Sequence, residues 1–156
     1  MKRINDCSEN GYDFTFKRQE EGKRFVLKSD KKFNCQVVDI DKCVFEGVDI
    51  RRCDFLFLVS KNENQQLGFS SSKAYYIELK GISIKDACKQ LYHSIDRTKA
   101  EILNHEIVAK VIATKGFQPD MENNKYFLKV RRLINRKIEF HKVHARNNYT
   151  HTEFLN

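Results

Sequence analysis

Three residues in two otherwise apolar segments have the types and the spacing to do chemistry. Asp54 lies within Cys53-Asp54-Phe55-Leu56-Phe57-Leu58, and Glu78 and Lys80 lie within Tyr75-Tyr76-Ile77-Glu78-Leu79-Lys80-Gly81. In a strand, residues two apart face the same way, so Glu78 and Lys80 project together while Leu79 points to the opposite face. Charges in such apolar strands are costly unless they are paired or bound to a cation. Two neighbouring carboxylates suit Mg²⁺ or Mn²⁺, ions that keep several waters and share an oxygen with a phosphate substrate. Such an ion lowers the pKa of a bound water and offsets charge developing on a scissile phosphate. Lys80 beside it could orient that water or neutralise the transition state. The chemistry expected is phosphodiester hydrolysis. The bland alternative is a solvated ion pair between Glu78 and Lys80, worth about 0–1 kcal/mol.

The elements around these residues must bring them together. Residues 53–59 and 74–80 read as two strands apolar on both faces, the pattern of strands inside a sheet. A polar stretch over roughly residues 60–73, with Gly68, reads as a long mobile loop joining them as an antiparallel pair. Counting back from Val59 beside Ala74 sets Asp54 opposite Glu78 or Leu79. Ser83 then offers an N-cap to a helix of about five turns, with Ile84, Ala87, Cys88, Leu91, Ile95 and Ile102 on its apolar side. The β-branched run 107–114 predicts another strand, closed by Gly116.

Flanking segments complete the expected fold. Tyr12, Phe14 and Phe16 alternate toward a Gly22 turn and Phe25-Val26-Leu27, which predicts an N-terminal β-hairpin. Residues 35–45 predict a further strand ending at the turn Glu46-Gly47-Val48-Asp49. Residues 125–137 predict an amphipathic helix exposing Lys129, Arg131, Arg132 and Arg136. These cations and Arg146 are a candidate patch for a nucleic-acid backbone, against the alternative of a plain solvated face. Residues 138–144 read as a closing strand, and the polar tail after Arg146 is expected to fray. The sum is an α/β (α+β) chain with a mixed central sheet flanked by helices.

Bulk properties narrow the function classes. The 156 residues, 40% hydrophobic with one proline, fit one domain spanning 1–156 with a core over about 35–145. A formal charge of +8 attracts polyanions. No apolar run approaches the roughly 20 residues that span a bilayer. The N-terminus lacks the apolar core of a signal peptide, so a cytoplasmic protein without a membrane partner is expected. The five cysteines (Cys7, Cys35, Cys43, Cys53, Cys88) lack CxxC spacing and are expected to be reduced, structural thiols. His141, His144 and His151 raise zinc, but three-residue spacing on a strand sets the first two on opposite faces.

Asp54 on one strand, Glu78-Leu79-Lys80 on the next, Gly81 and a following helix with Gln90 resemble the PD-(D/E)XK nuclease superfamily and its restriction-endonuclease-like fold. The resemblance covers about residues 35–115. It implies that Asp54, Glu78 and the Leu79 backbone carbonyl ligate Mg²⁺ or Mn²⁺, that Lys80 acts on the attacking water, and that Gln90 supports the lysine or the metal-bound water. It implies a metal-dependent nuclease acting on DNA in preference to RNA, alone, as a homodimer or with a partner protein. The alternative is a catalytically inactive nuclease-fold module that binds nucleic acid or a partner protein. Two departures stand out. Cys53 replaces the family's proline, and no helix with an acidic residue precedes the first sheet strand. A further carboxylate ligand could come from Asp41, Glu46 or the segment with Glu20 and Glu21.

Overall fold

The computed structural model describes residues 1–60, 72–80 and 83–155. Most of the expected 60–73 loop, with Gly68, and also Gly81 lie outside the described residues. The described strands form one seven-stranded mixed sheet: β1 (Ser8–Glu20), β2 (Lys23–Asp39), β3 (Phe55–Val59), β4 (Ser72–Lys80), β5 (His105–Ala113), β6 (Glu139–Lys142) and β7 (Thr150–Phe154). β1 to β6 follow one another across it and β7 pairs with β2. The steps from β1 to β4 are antiparallel, whereas β4–β5, β5–β6 and β2–β7 are parallel. This α/β architecture, a mixed sheet with helices against it, is the coarse fold expected of the sequence.

Local chemistry explains the main elements. Glu21 and Gly22, both at positive φ, make the two-residue hairpin between β1 and β2. The helix α1 (Ile84–Thr98) begins where the Ser83 hydroxyl accepts the Asp86 N–H. The helix α2 (Lys125–Ile134) begins where Asn124 accepts the Tyr126 and Phe127 N–H groups. It stops at Ile134, short of the expected residue 137, because Asn135 adopts the left-handed conformation at φ 53°. The closing strand is likewise shorter than expected, at Glu139–Lys142.

β3 and β4 are buried on both faces, apart from the ends of β4. On one face Leu56, Leu58, Ala74 and Tyr76 pack with Ile84, Ala87, Leu91 and Ile95 of α1 and with Phe127 and Val130 of α2. On the other, Phe55, Phe57, Tyr75 and Ile77 pack with Phe25, Leu27 and Leu155. The helices thus share one face, and the start of β2 with β7 folds over the second. Phe25 meets Phe57 edge-on at 5.1 Å between ring centroids.

Three expectations are corrected. Residues 35–45 do not continue as one strand. Chain pairing ends at Asp39, whose carboxylate accepts the Lys42 N–H at 2.7 Å and starts a π-helical turn over Ile40–Val44. The tail does not fray: β7 pairs in parallel with residues 24–28, and Leu155 is 4% exposed. Two cysteines are not free thiols. The 3₁₀ turn Ile4–Cys7 lies against the π-helical turn, and Cys7 and Cys43 form a disulfide with Cα atoms 5.6 Å apart. Cys35, Cys53 and Cys88 are free and buried. No helix among the described residues is long and apolar enough to cross a membrane.

Candidate functional site

The strand register brings the predicted trio together. Phe55 lies across from Ile77, which sets Asp54 level with Glu78. The alternation that sends Tyr75, Ile77 and Leu79 to one face turns Glu78 and Lys80 toward α1. Asp54 Oδ2 accepts the Leu79 N–H at 2.7 Å, so the two strands are tied at the site itself. Lys80 Nζ stands 3.5 Å from Glu78 Oε1 and donates to Gln90 Oε1 at 2.8 Å. Gln90 Nε2 donates in turn to the Arg52 carbonyl at 2.8 Å. Gln90 therefore locks α1, the Asp54 strand and Lys80 to one another. Ser94 strengthens the same junction, its hydroxyl accepting the Cys53 N–H at 2.8 Å.

The site is electrostatically tense. Glu78 is 1% exposed, and its Oε2 has no hydrogen-bond partner among the described residues. Burial, and then the charge of Asp54, hold its carboxyl well above the usual range, with Lys80 opposing them. Burial pushes Asp54 up to about 7 against the Leu79 N–H, with smaller upward contributions from Glu20 and Asp41. The charge of Asp54 thus adds to the burial cost of ionising Glu78. A cation between them would relieve both costs.

Glu20 and Asp41, left open by the sequence, therefore lie within electrostatic reach of Asp54. Glu20 arrives at the end of β1 and pairs with Lys42 at 2.8 Å. Asp41 sits on the π-helical turn, whose Ile40 N–H donates to the Asp54 carbonyl at 3.0 Å, and pairs with Arg52. Glu46 is turned outward to Lys2. Arg52, not singled out in the sequence, also donates to the Ile50 carbonyl at 3.2 Å. A cavity of about 580 Å³ opens beside these groups, lined by Arg51, Arg52, Lys89, Gln90 and His93 among others.

The predicted basic patch is on the surface. Lys129, Arg131, Arg132 and Arg136 are all exposed. Arg131, Arg132 and Arg136 line a shallow cavity of about 400 Å³ together with Lys137. Arg136 is also tied to Glu106, so the four cations are not equally free to meet a phosphate.

A second polar cluster lies on the opposite face of the sheet; the sequence raised its two histidines, but not the lysine and glutamates beside them. Lys110 is 1% exposed, pairs with Glu139 and lies 3.0 Å from Glu153. His141 and His151 stack at 3.7 Å between centroids, and each Nε2 is 3.6 Å from the neighbouring glutamate. His144 is elsewhere, exposed at the start of the 3₁₀ turn Ala145–Asn147. A lysine within the apolar run 107–113 was the available signal, of the same kind as Asp54 and Glu78. Among the described residues, no group of three or more His, Cys, Asp or Glu side chains is arranged to hold a metal ion. Comparison of the chain with protein-family models, curated proteins and solved structures gives no match.

Proposed function

We propose that the chain is a metal-dependent nuclease of the PD-(D/E)XK kind, hydrolysing phosphodiester bonds, with DNA favoured over RNA. The observation that carries this reading is Glu78 Oε2, a buried carboxylate oxygen without a described partner, on the same sheet face as Asp54 and 1% exposed as a residue. A structural ion pair would satisfy both oxygens, since a buried, unpaired carboxylate oxygen is destabilising.

Asp54 and Glu78 would hold Mg²⁺ or Mn²⁺, with the Leu79 carbonyl as the third protein ligand. The ion, when bound, supplies an activated water and neutralises charge on the scissile phosphate. Lys80 has three donors and uses one on Gln90. The others can reach an attacking water or a nonbridging phosphate oxygen. Gln90 prevents Lys80 from collapsing fully onto Glu78, which keeps the ammonium aimed at the substrate. The exposed cations of α2 would hold the backbone of the nucleic acid.

The exposed α2 cations also suit a module that binds nucleic acid without cutting it. Calorimetric titration of Mn²⁺ into wild type and Asp54→Ala separates the two readings. The nuclease reading expects binding by wild type and loss in the variant. Equal titrations would leave the binding module.

A further inference from the structure

An aromatic and cationic surface runs outward from the candidate site along α1 and α2. Tyr92 and His93 are neighbours on α1, with ring centroids 5.3 Å apart, and Tyr126 on the first turn of α2 lies 5.8 Å from each. All three are half-buried, so each ring is anchored in packing and still presents surface to solvent. Lys129 Nζ lies 5.0 Å from the Tyr92 centroid and 5.5 Å from that of Tyr126. Lys89 and Lys125 approach the Tyr126 ring at 5.7 and 5.2 Å.

Two features distinguish this surface from ordinary lysine stems lying on apolar rings. First, it is continuous with the candidate site: Lys89 and His93 line the same cavity as Gln90, which holds Lys80. Second, the cavity arginines are already paired, Arg51 with Asp86 and Arg52 with Asp41, whereas the three lysines converge on aromatic faces. Burial first, then Lys89, Arg97 and Lys129, lower the pKa of His93. Its ring is therefore a neutral stacking surface at neutral pH.

We propose that Tyr92, His93 and Tyr126 form a stacking platform for unpaired nucleotides, with Lys89, Lys125 and Lys129 holding the adjoining phosphates. The platform rests on the nuclease reading only in naming the strand it serves; its binding needs no cleavage. Every base has a π-face, so stacking tolerates any sequence, but bases inside an intact duplex cannot offer it. The platform therefore selects single strands, or duplexes with an unpaired overhang beside the cleavage site.

Fluorescence anisotropy in EDTA tests this with a labelled single strand, the same strand in blunt duplex, and its RNA counterpart. Wild type should bind the single strand more tightly than the blunt duplex. Tyr92→Leu and Tyr126→Leu, which keep apolar volume for packing, should each lose about tenfold on the single strand with the duplex little changed. Lys129→Gln should flatten the salt dependence, whereas the tyrosine variants should leave the slope unchanged. Circular dichroism and thermal melting establish that each variant is folded. Folded tyrosine variants that bind the single strand like wild type would overturn the platform, as would equal losses on single strand and duplex. Preference for the RNA strand would assign the platform to RNA. Cleavage is scored separately with Mg²⁺ and Glu78→Ala. Tyrosine-dependent binding without cleavage by wild type removes the nuclease reading and keeps the platform; cleavage with normal binding by the tyrosine variants does the reverse.

Discussion

Lys80 Nζ and Gln90 Oε1 are 2.8 Å apart, a hydrogen bond from a central strand to the helix covering it. Because Gln90 also donates to the Arg52 carbonyl, one amide fixes the ammonium relative to the strand that carries Asp54. Lys80 is thereby held 3.5 Å from Glu78 without closing on it. On the proposed nuclease reading, this separation leaves Glu78 available to a cation and Lys80 to a phosphate.

Gln90→Ala should free Lys80 to settle on Glu78. Cleavage should fall by roughly 10- to 100-fold, the scale at which misplaced catalytic groups act. Mn²⁺ affinity should change far less, because Asp54 and Glu78 remain. Single-turnover cleavage and calorimetry measure the two effects. Unchanged cleavage would remove Gln90 from the site.

Asp54→Asn removes a buried carboxylate that burial holds up to about 7, but keeps an oxygen for the Leu79 N–H. Without metal at pH 8 the variant should be more stable than wild type, by on the order of 1–2 kcal/mol or a few degrees in Tm. Mn²⁺ should raise the Tm of wild type and not that of the variant. Thermal melts of both proteins, with and without Mn²⁺, decide it.

The Lys110 cluster should carry acid sensitivity. The His141 ring 3.6 Å away, opposed by burial and aided by Lys110, lowers Glu139 to about 2 from the ordinary 4.5. A carboxylate depressed by folding contributes stability that is present above 4.5 and lost as pH falls through about 2. Glu139→Gln should flatten the decline in stability across that window, as read by urea melts at successive pH values. Lys110→Ala should cost about 3 kcal/mol at neutral pH, since it strips both carboxylates of their buried partner.

Deleting residues 149–156 should destabilise the fold strongly. Loss of β7 exposes the edge of β2 at residues 24–28 and uncovers Phe25, which is fully buried and stacks on His151 at 6.0 Å. A melt unchanged by the deletion would mean that this strand contributes nothing.

The same residues show what the sequence made legible. The period of two placed Glu78 beside Lys80, and matching the ends of the two strands placed Asp54 opposite Glu78 or Leu79; the observed register pairs Val59 with Lys73 and not Ala74, which selects Glu78. The helix period and the Ser83 cap made the helix legible, but Gln90 was singled out only through the family resemblance, and its bond to Lys80 is seen in the structure alone. Long-range partners left no local trace. Residues 150–154 read as a polar tail because their pairing is with residues 24–28, far away in sequence. Cys7 and Cys43, 36 residues apart, meet only because two short turns pack together. Glu20 comes within electrostatic reach of Asp54 because the end of β1 meets Lys42 of the π-helical turn. Lys110 carried the same signal as Glu78, a charge in an apolar strand, but its partners lie on β6 and β7, which local pattern could not bring together.

The most direct measurement is Mg²⁺-dependent cleavage of supercoiled, linear, single-stranded and branched DNA, and of RNA, by wild type and Glu78→Ala side by side. The account predicts cleavage of at least one DNA by wild type and its loss in the variant. Cleavage that persists in Glu78→Ala, or none by wild type on any substrate, would contradict it.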